Sequence, residues 1–459
     1  MKYQFPKNFK WGSAVWAQGT EGAWDKDGKA PTVFEEYYRL EPTRFYNGVG
    51  PYETLNWYED YDKYAQLAQD ISHNSFRTSI LWARLFPDGK TVNEEAVKFY
   101  RNLFKSFKDR GMDLTVVLYW FDMPVLFEKQ GGFTNRDILD PFVHYCHQCF
   151  ELFSDLVDTF YVYNEPIVDV RFKYDNDMCY PNLLDFNLAN KAVYYMVLAH
   201  ALVVEDFKKG NYPTRIGTVL NHQHVYPRSQ AAGDLKAAEN HRLLYQTCYE
   251  DGLLKGEINQ DWLDLVTANG AEIVIEDGDL AVIKDNTINI LGLNIYYPTR
   301  VKAKEHALHP DAPVRFDSFF DDYVMHGRMM NTDRGWEIFP QGMYDSVMEL
   351  TTKYNKPEIL ITENGMGIQD EYRYRDNTGQ IQDDYRIEYV KEHLKWLHKS
   401  IEDGANVSGY NMWSFIDLWS PSNQFKNCYG FYEYNLDTKE SRRKKSADWF
   451  KKITEDNGF

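Results

Sequence analysis

Eight short apolar runs, each followed by a stretch of helical periodicity, set the tightest limit on how this chain can fold. The runs fall at residues 9–15, 74–81, 114–119, 160–163, 216–220, 288–293, 359–362 and 407–413. Runs of this length with little alternation read as strands buried on both faces, as in a parallel sheet. The stretches between them predict helices. The first puts Trp57, Tyr61, Tyr64, Ala65 and Ala68 on one face. The others are expected over 94–110, 138–153, 188–208, 235–251, 342–353, 384–402 and 446–453, with Gly111, Gly210 and Gly404 as stops. Eight β-then-α units, with no linker and no break in composition, predict one α/β domain over residues 1–459: a (β/α)8 TIM barrel with long β-to-α loops. An open doubly wound sheet is the alternative. No Gly-x-Gly-x-x-Gly follows a strand, which removes its main support.

Two strands end in a glutamate followed at once by a turn breaker. They are Tyr161-Val162-Tyr163-Asn164-Glu165-Pro166 and Ile359-Leu360-Ile361-Thr362-Glu363-Asn364-Gly365. Strand tips of a closed barrel converge on its axis, so these carboxylates are expected to face one site. Breaking a glycosidic bond needs a proton donor on the leaving oxygen and a second group on the opposite face of the sugar. Two carboxyls about 5 Å apart supply both, with retention of configuration. Structural ion pairs at the barrel rim are the alternative reading.

Further segments carry a likeness. From Phe9-Lys10-Trp11-Gly12 to Lys445-Ser446-Ala447-Asp448-Trp449 the chain resembles glycoside hydrolase family 1. Asn164-Glu165-Pro166 is similar to that family's acid/base motif, and Ile361-Thr362-Glu363-Asn364-Gly365 to its nucleophile motif. Phe76-Arg77-Thr78-Ser79-Ile80, Gly292-Leu293-Asn294-Ile295-Tyr296-Tyr297, Gly335-Trp336-Glu337-Ile338 and Trp413-Ser414-Phe415-Ile416-Asp417 also match, in order. The resemblance implies that Arg77 and the Tyr296 hydroxyl hold Glu363 ionised by lowering its pKa. It implies that Glu165 is protonated before attack and that Asn164 bonds the sugar 2-hydroxyl. Trp336 and Trp413 border matched motifs and are candidates for stacking on sugar faces. No metal or organic cofactor is implied.

Three departures bear on the substrate. Gly19 stands where the family has a sugar-binding glutamine, and Gln18 lies one residue early, where a strand would point it the other way. Trp120 replaces a histidine that contacts the same 3-hydroxyl edge. After Asp417 the usual Glu-Trp pair is missing, and the chain reads Leu418-Trp419-Ser420-Pro421-Ser422-Asn423-Gln424-Phe425-Lys426-Asn427-Cys428-Tyr429. This resembles the phosphate-binding loop of 6-phospho-β-glycosidases, with Pro421 closer to the phosphoglucosidase form. Ser420 and Tyr429 offer hydroxyls and Lys426 a cation. Asn427 takes the place of the usual lysine, so Lys426 is expected either to bind phosphate or to be a solvated loop lysine.

The net charge of −18 argues against nucleic acid or an anionic membrane as partner. The expected partner is a small sugar, in the phosphorylated form that the loop favours. Five scattered cysteines and the lack of an apolar leader near the N-terminus point to a reducing, cytoplasmic setting. His144, Cys146, His147 and Cys149 sit on one helical stretch at spacings that do not converge four ligands. The basic run 442–445 is expected to be a solvated helix start. The loops 24–53 and 297–336 should lie on the catalytic side; the second, with Arg315, Phe319, Phe320 and Met325, is either a lid or a loop packed on the rim. The expected activity is retaining hydrolysis of 6-phospho-β-glucosides or related 6-phospho-β-glycosides. Hydrolysis of unphosphorylated glycosides, or sugar binding without catalysis, are the alternatives.

Overall fold

A computed structural model describes residues 2–306 and 311–459. Eight parallel strands close into a barrel: β1 Lys10–Ala14, β2 Ser75–Ser79, β3 Asp113–Tyr119, β4 Thr159–Asn164, β5 Arg215–Asn221, β6 Ile290–Asn294, β7 Glu358–Glu363 and β8 Val407–Trp413. Each strand pairs with the next in sequence, and β8 returns to β1 with Lys10 opposite Gly409. All five residues of β2 and all six of β4 are buried. That is why β4 reads without alternation; β2 buries a mainly polar sequence, Ser75-Phe76-Arg77-Thr78-Ser79, within the same barrel wall.

All eight expected strands are present, each shifted by no more than two residues at either end. The helices follow local signals. Glu94–Lys108 starts at Asn93, whose side chain accepts from the Glu95 amide at 3.2 Å, and two acidic residues fill its first turn. Gly111, just beyond its end, has φ +77°. The fifth unit is more elaborate than expected. Ala232–Arg242 continues through π-type turns to Lys255, and two further helices, Gln260–Thr267 and Asp279–Asp285, precede β6. No helix among the described residues is long and apolar enough to cross a membrane.

The long loops build the C-terminal face. A helix, Val33–Leu40, lies in the first, closed by a capping box between Thr32 and Glu35. Within 297–336 a hairpin of Met330–Asn331 and Trp336–Glu337 turns at Gly335, whose φ is +78°. Arg315 of this loop donates to the Asp175 carbonyl at 2.5 Å, Phe319 meets the Phe186 ring at 5.9 Å, and Phe320 meets His241 at 4.9 Å.

One expectation is overturned outside the site. Lys444, read as part of a solvated run, is fully buried. Its ammonium donates to Glu371 and, at 2.8 Å, to Asp417. Arg386, also fully buried, donates to Glu371 and to the Cys428 carbonyl at 3.0 Å. The Gly430 amide bonds Asp417 at 2.8 Å. These ion pairs therefore clamp both ends of the 417–430 loop, which forms one wall of the central pocket.

Candidate active site

The pocket at the C-terminal mouth of the barrel is lined by Glu165, Glu363, Tyr296, Trp120, Trp336 and Trp413, among others. Each polar group comes from a strand tip. Glu363 closes β7, opposite Asn294 in register. One of its oxygens accepts from Arg77 at 2.5 Å, and the other accepts from the Tyr296 hydroxyl at 2.6 Å. Arg77 is fully buried on β2 and also donates to the Asn164 side-chain oxygen at 2.5 Å. The Trp120 ring lies 4.0 Å from its guanidinium carbon, a desolvated cation–π contact.

Glu165 follows β4 with φ +45°, a left-handed conformation unusual for a side-chain-bearing residue, and Pro166 begins the next helix directly. Its amide still bonds the Val219 carbonyl on β5 at 2.9 Å. One carboxyl oxygen takes both protein hydrogen bonds, from Asn221 at 2.7 Å and from Asn294 at 2.9 Å. Asn294 is fixed in turn by the Thr362 hydroxyl at 2.6 Å and also donates to Asn164 at 3.2 Å. These bonds occupy the Asn164 oxygen and leave its buried side-chain nitrogen without a partner among the described residues.

The electrostatics separate the two carboxyls. Burial, with the negative charge of Glu363 adding to it, pushes Glu165 up to about 7 from an ordinary 4.5. Burial also raises Glu363, against the pull of Arg77 and Tyr296. The expectation that these partners draw Glu363 below the usual range is therefore not met, because its loss of solvent is the larger effect. Glu363 accepts from a cation and a phenol, whereas Glu165 accepts from two neutral amides, so the partners favour the charged form at Glu363 more than at Glu165.

Ser420 and Tyr429 line the same pocket. Five candidates do not. Arg77 and Asn164 lie behind the lining, Arg77 bonded to both Glu363 and Asn164. Gln18 lies in a short helix, Ala17–Thr20, not on a strand, and its amide meets Glu35 at 3.4 Å. Lys426 and Asn427 line an outer cavity that shares Arg334, Ser422 and Asn423 with the central pocket, and neither reaches the central lining. Gln424 turns the loop with φ +52°, after which the Lys426 ammonium sits 5.5 Å from the centre of the Tyr46 ring. Asn427 is spent on the Asp333 carbonyl at 3.1 Å. Gly19 has a steric cause: a Cβ there would lie 2.4 Å from the Trp419 carbonyl oxygen.

Sequence reasoning missed Asn221, Asn294, Arg334, Ser422 and Trp16. Asn294 lay inside a matched segment, and Asn221 ends β5 as Asn164 ends β4. Arg334 sits one residue before the matched Gly335-Trp336 pair. The carboxylates that line the pocket among the described residues are Glu165 and Glu363, and the cations are Arg171 and Arg334.

Comparison with known proteins agrees over the whole length. Residues 1–459 match the family described as Glycosyl hydrolase family 1. The chain is 42% identical to "6-phospho-beta-glucosidase GmuD" of Bacillus subtilis, covering 100% of this chain and 99% of the relative. It is 31% identical to "Beta-glucosidase A" of Acetivibrio thermocellus, covering 100% of both. Among solved structures, the family 1 β-glucosidase of Thermotoga maritima superposes with a TM-score of 0.90 at 26% identity, covering 100% of this chain and 99% of that one. With a closed eight-stranded barrel and this full-length match, the chain belongs to glycosyl hydrolase family 1 and is a glycoside hydrolase.

Proposed function

We propose that residues 1–459 act as one domain that hydrolyses 6-phospho-β-glucosides by two displacements at the anomeric carbon, with retention. The reading is carried by the pocket lining: among the described residues its only carboxylates are the two glutamates, while Ser420, Tyr429, Arg171 and Arg334 line it as well. A family 1 relative at 42% identity over the full chain carries the name of that activity.

In the first step the Glu363 carboxylate attacks the anomeric carbon. Glu165 gives its proton to the glycosidic oxygen, and the aglycone leaves. The product is a glycosyl ester on Glu363. In the second step Glu165, now a carboxylate, takes a proton from water, whose oxygen displaces Glu363 and releases the sugar. Retaining enzymes hold their carboxyls about 5 Å apart. Here Asn294 hydrogen-bonds Glu165 and stands opposite Glu363 on the neighbouring strand, which supports the short separation. Arg77 and Tyr296 orient the nucleophile through one oxygen each. The unpaired Asn164 nitrogen is the donor available to the 2-hydroxyl. Trp336 and Trp413 offer ring faces to the sugar and aglycone. On this reading the enzyme acts in the cytoplasm.

A second reading, hydrolysis of unphosphorylated β-glucosides, draws on the 31% identity to Beta-glucosidase A. Rates on para-nitrophenyl β-glucoside and on its 6-phosphate separate the two. The proposal expects a large preference for the phosphate ester; equal or faster turnover of the plain glucoside would overturn it.

A further inference from the structure

A sugar 6-phosphate carries close to two negative charges, and burying it in a protein of net charge −18 requires a local cation. The loop that supplies the hydroxyls does not supply that charge. Asn427 is neutral and turned to a backbone carbonyl, and Lys426 lies in the outer cavity over Tyr46. Arg171 lines the pocket but is already paired with Asp175 at 3.3 Å.

Arg334 lines that outer cavity too, but unlike Lys426 it also reaches the central pocket. It comes from the tip of the 330–337 hairpin and lines the pocket with Ser420, Ser422 and Tyr429. Its Nε donates to the Tyr429 hydroxyl oxygen at 3.1 Å, and one terminal nitrogen donates to the Ser422 hydroxyl at 3.3 Å. Its guanidinium carbon stacks 4.1 Å from the Trp336 ring, which holds its plane. No carboxylate lies within ion-pair distance of it among the described residues. Because Tyr429 accepts from Arg334, the phenolic proton is left to donate elsewhere. Ser420 and Ser422 lie 3.3 Å apart, oxygen to oxygen. The result is one planar cation with unused N–H groups beside three hydroxyls, a donor set that matches a phosphate monoester.

We propose that Arg334 is the phosphate-recognising cation of this enzyme, standing in from a neighbouring loop for the lysine that the 417–430 loop lacks. The inference rests on the 6-phospho-β-glucosidase reading and names the residue that sets that specificity. A charge-assisted contact of this type is worth about 100-fold in substrate discrimination.

The test compares kcat/KM for para-nitrophenyl β-glucoside 6-phosphate with that for the plain glucoside in the wild type, Arg334→Gln, Arg334→Lys and Lys426→Gln. The expected result is that Arg334→Gln lowers the phosphorylated-to-plain ratio about 100-fold, chiefly through KM, and that Arg334→Lys restores part of it. Lys426→Gln keeps the wild-type ratio. Arg334 is refuted as the phosphate ligand if its Gln variant lowers both substrates equally, which marks a brace for Trp336, or leaves the ratio unchanged, or if Lys426→Gln lowers the ratio instead. A wild type with no preference for the phosphate ester overturns the activity reading itself and this inference with it, an outcome visible before any variant is made.

Discussion

Replacing Glu165 by glutamine should stabilise the protein, and by an amount that depends on pH. Burial first, and the charge of Glu363 second, raise this carboxyl from 4.5 to about 7 in the folded chain. The folded state therefore holds the Glu165 proton more tightly than the unfolded state between those values. Stability from this group is complete below pH 4.5 and is lost as the pH rises towards 7. At about 1.36 kcal/mol per pH unit, the loss above that window is about 3 kcal/mol. Glutamine does not titrate. Its carbonyl oxygen can take over both hydrogen bonds, since Asn221 and Asn294 donate to the same carboxyl oxygen. Its NH2 group then occupies the oxygen position that has no protein donor. Urea unfolding of both proteins at pH 4.5 and pH 8.5 measures the effect. The variant should be close to wild type at the lower pH and more stable by about 3 kcal/mol at the higher. A difference that stays constant across this range would refute the raised pKa, and with it the claim that Glu165 is the proton carrier of the pair.

Three further outcomes follow from the site and its supports. Glu363→Gln should abolish turnover of every aryl glycoside, whereas Glu165→Gln should lower kcat/KM roughly 100-fold or more only where the leaving group needs a proton, with kcat falling for all substrates because the second step loses its base; a leaving-group series measures the difference. Trp120→Leu removes the ring 4.0 Å from Arg77 and should lower kcat/KM roughly 10-fold or more, with Trp120→Phe losing less, in steady-state assays on one substrate. Lys444→Met leaves Asp417 and Glu371 short of a buried partner and should destabilise by roughly 3–5 kcal/mol, read as a lowered urea midpoint.

The barrel and its carboxylate pair were legible because local sequence carries them. Strands buried on both faces have no alternation to hide them, and Pro166 and Gly365 mark where β4 and β7 stop. Once eight strands close, the tips need no further information to meet. The loop residues obey no such rule. Lys444 looks like a surface charge among its neighbours, yet its partners Asp417 and Glu371 lie 27 and 73 residues away. Lys426 has the right chemistry and the wrong side of a turn, set by one positive φ at Gln424. Arg334 depends on a hairpin meeting a loop 88 residues further on, at Ser422.

Gly19 and Trp120, which look like two separate losses of sugar contacts, change the same wall of the site in one direction. The Trp419 backbone passes so near Gly19 that no side chain fits, and the Trp419 ring stacks on Trp16 at 5.7 Å, itself part of the pocket lining. Trp120 meets Trp413 at 5.7 Å, and both line the pocket. Where the family resemblance implies a glutamine and a histidine, the wall presents the indoles of Trp16, Trp120 and Trp413. A hydroxyl against a ring face gains less than one held by an amide or imidazole, and rejects a missing or altered hydroxyl less strongly. Discrimination in this enzyme should therefore weaken at the 3-hydroxyl edge, where a 3-deoxy aryl glycoside would lose less than 10-fold in kcat/KM. A loss of about 1,000-fold or more with that substrate would mean that a polar contact to this edge survives, and that the aromatic wall has been misjudged.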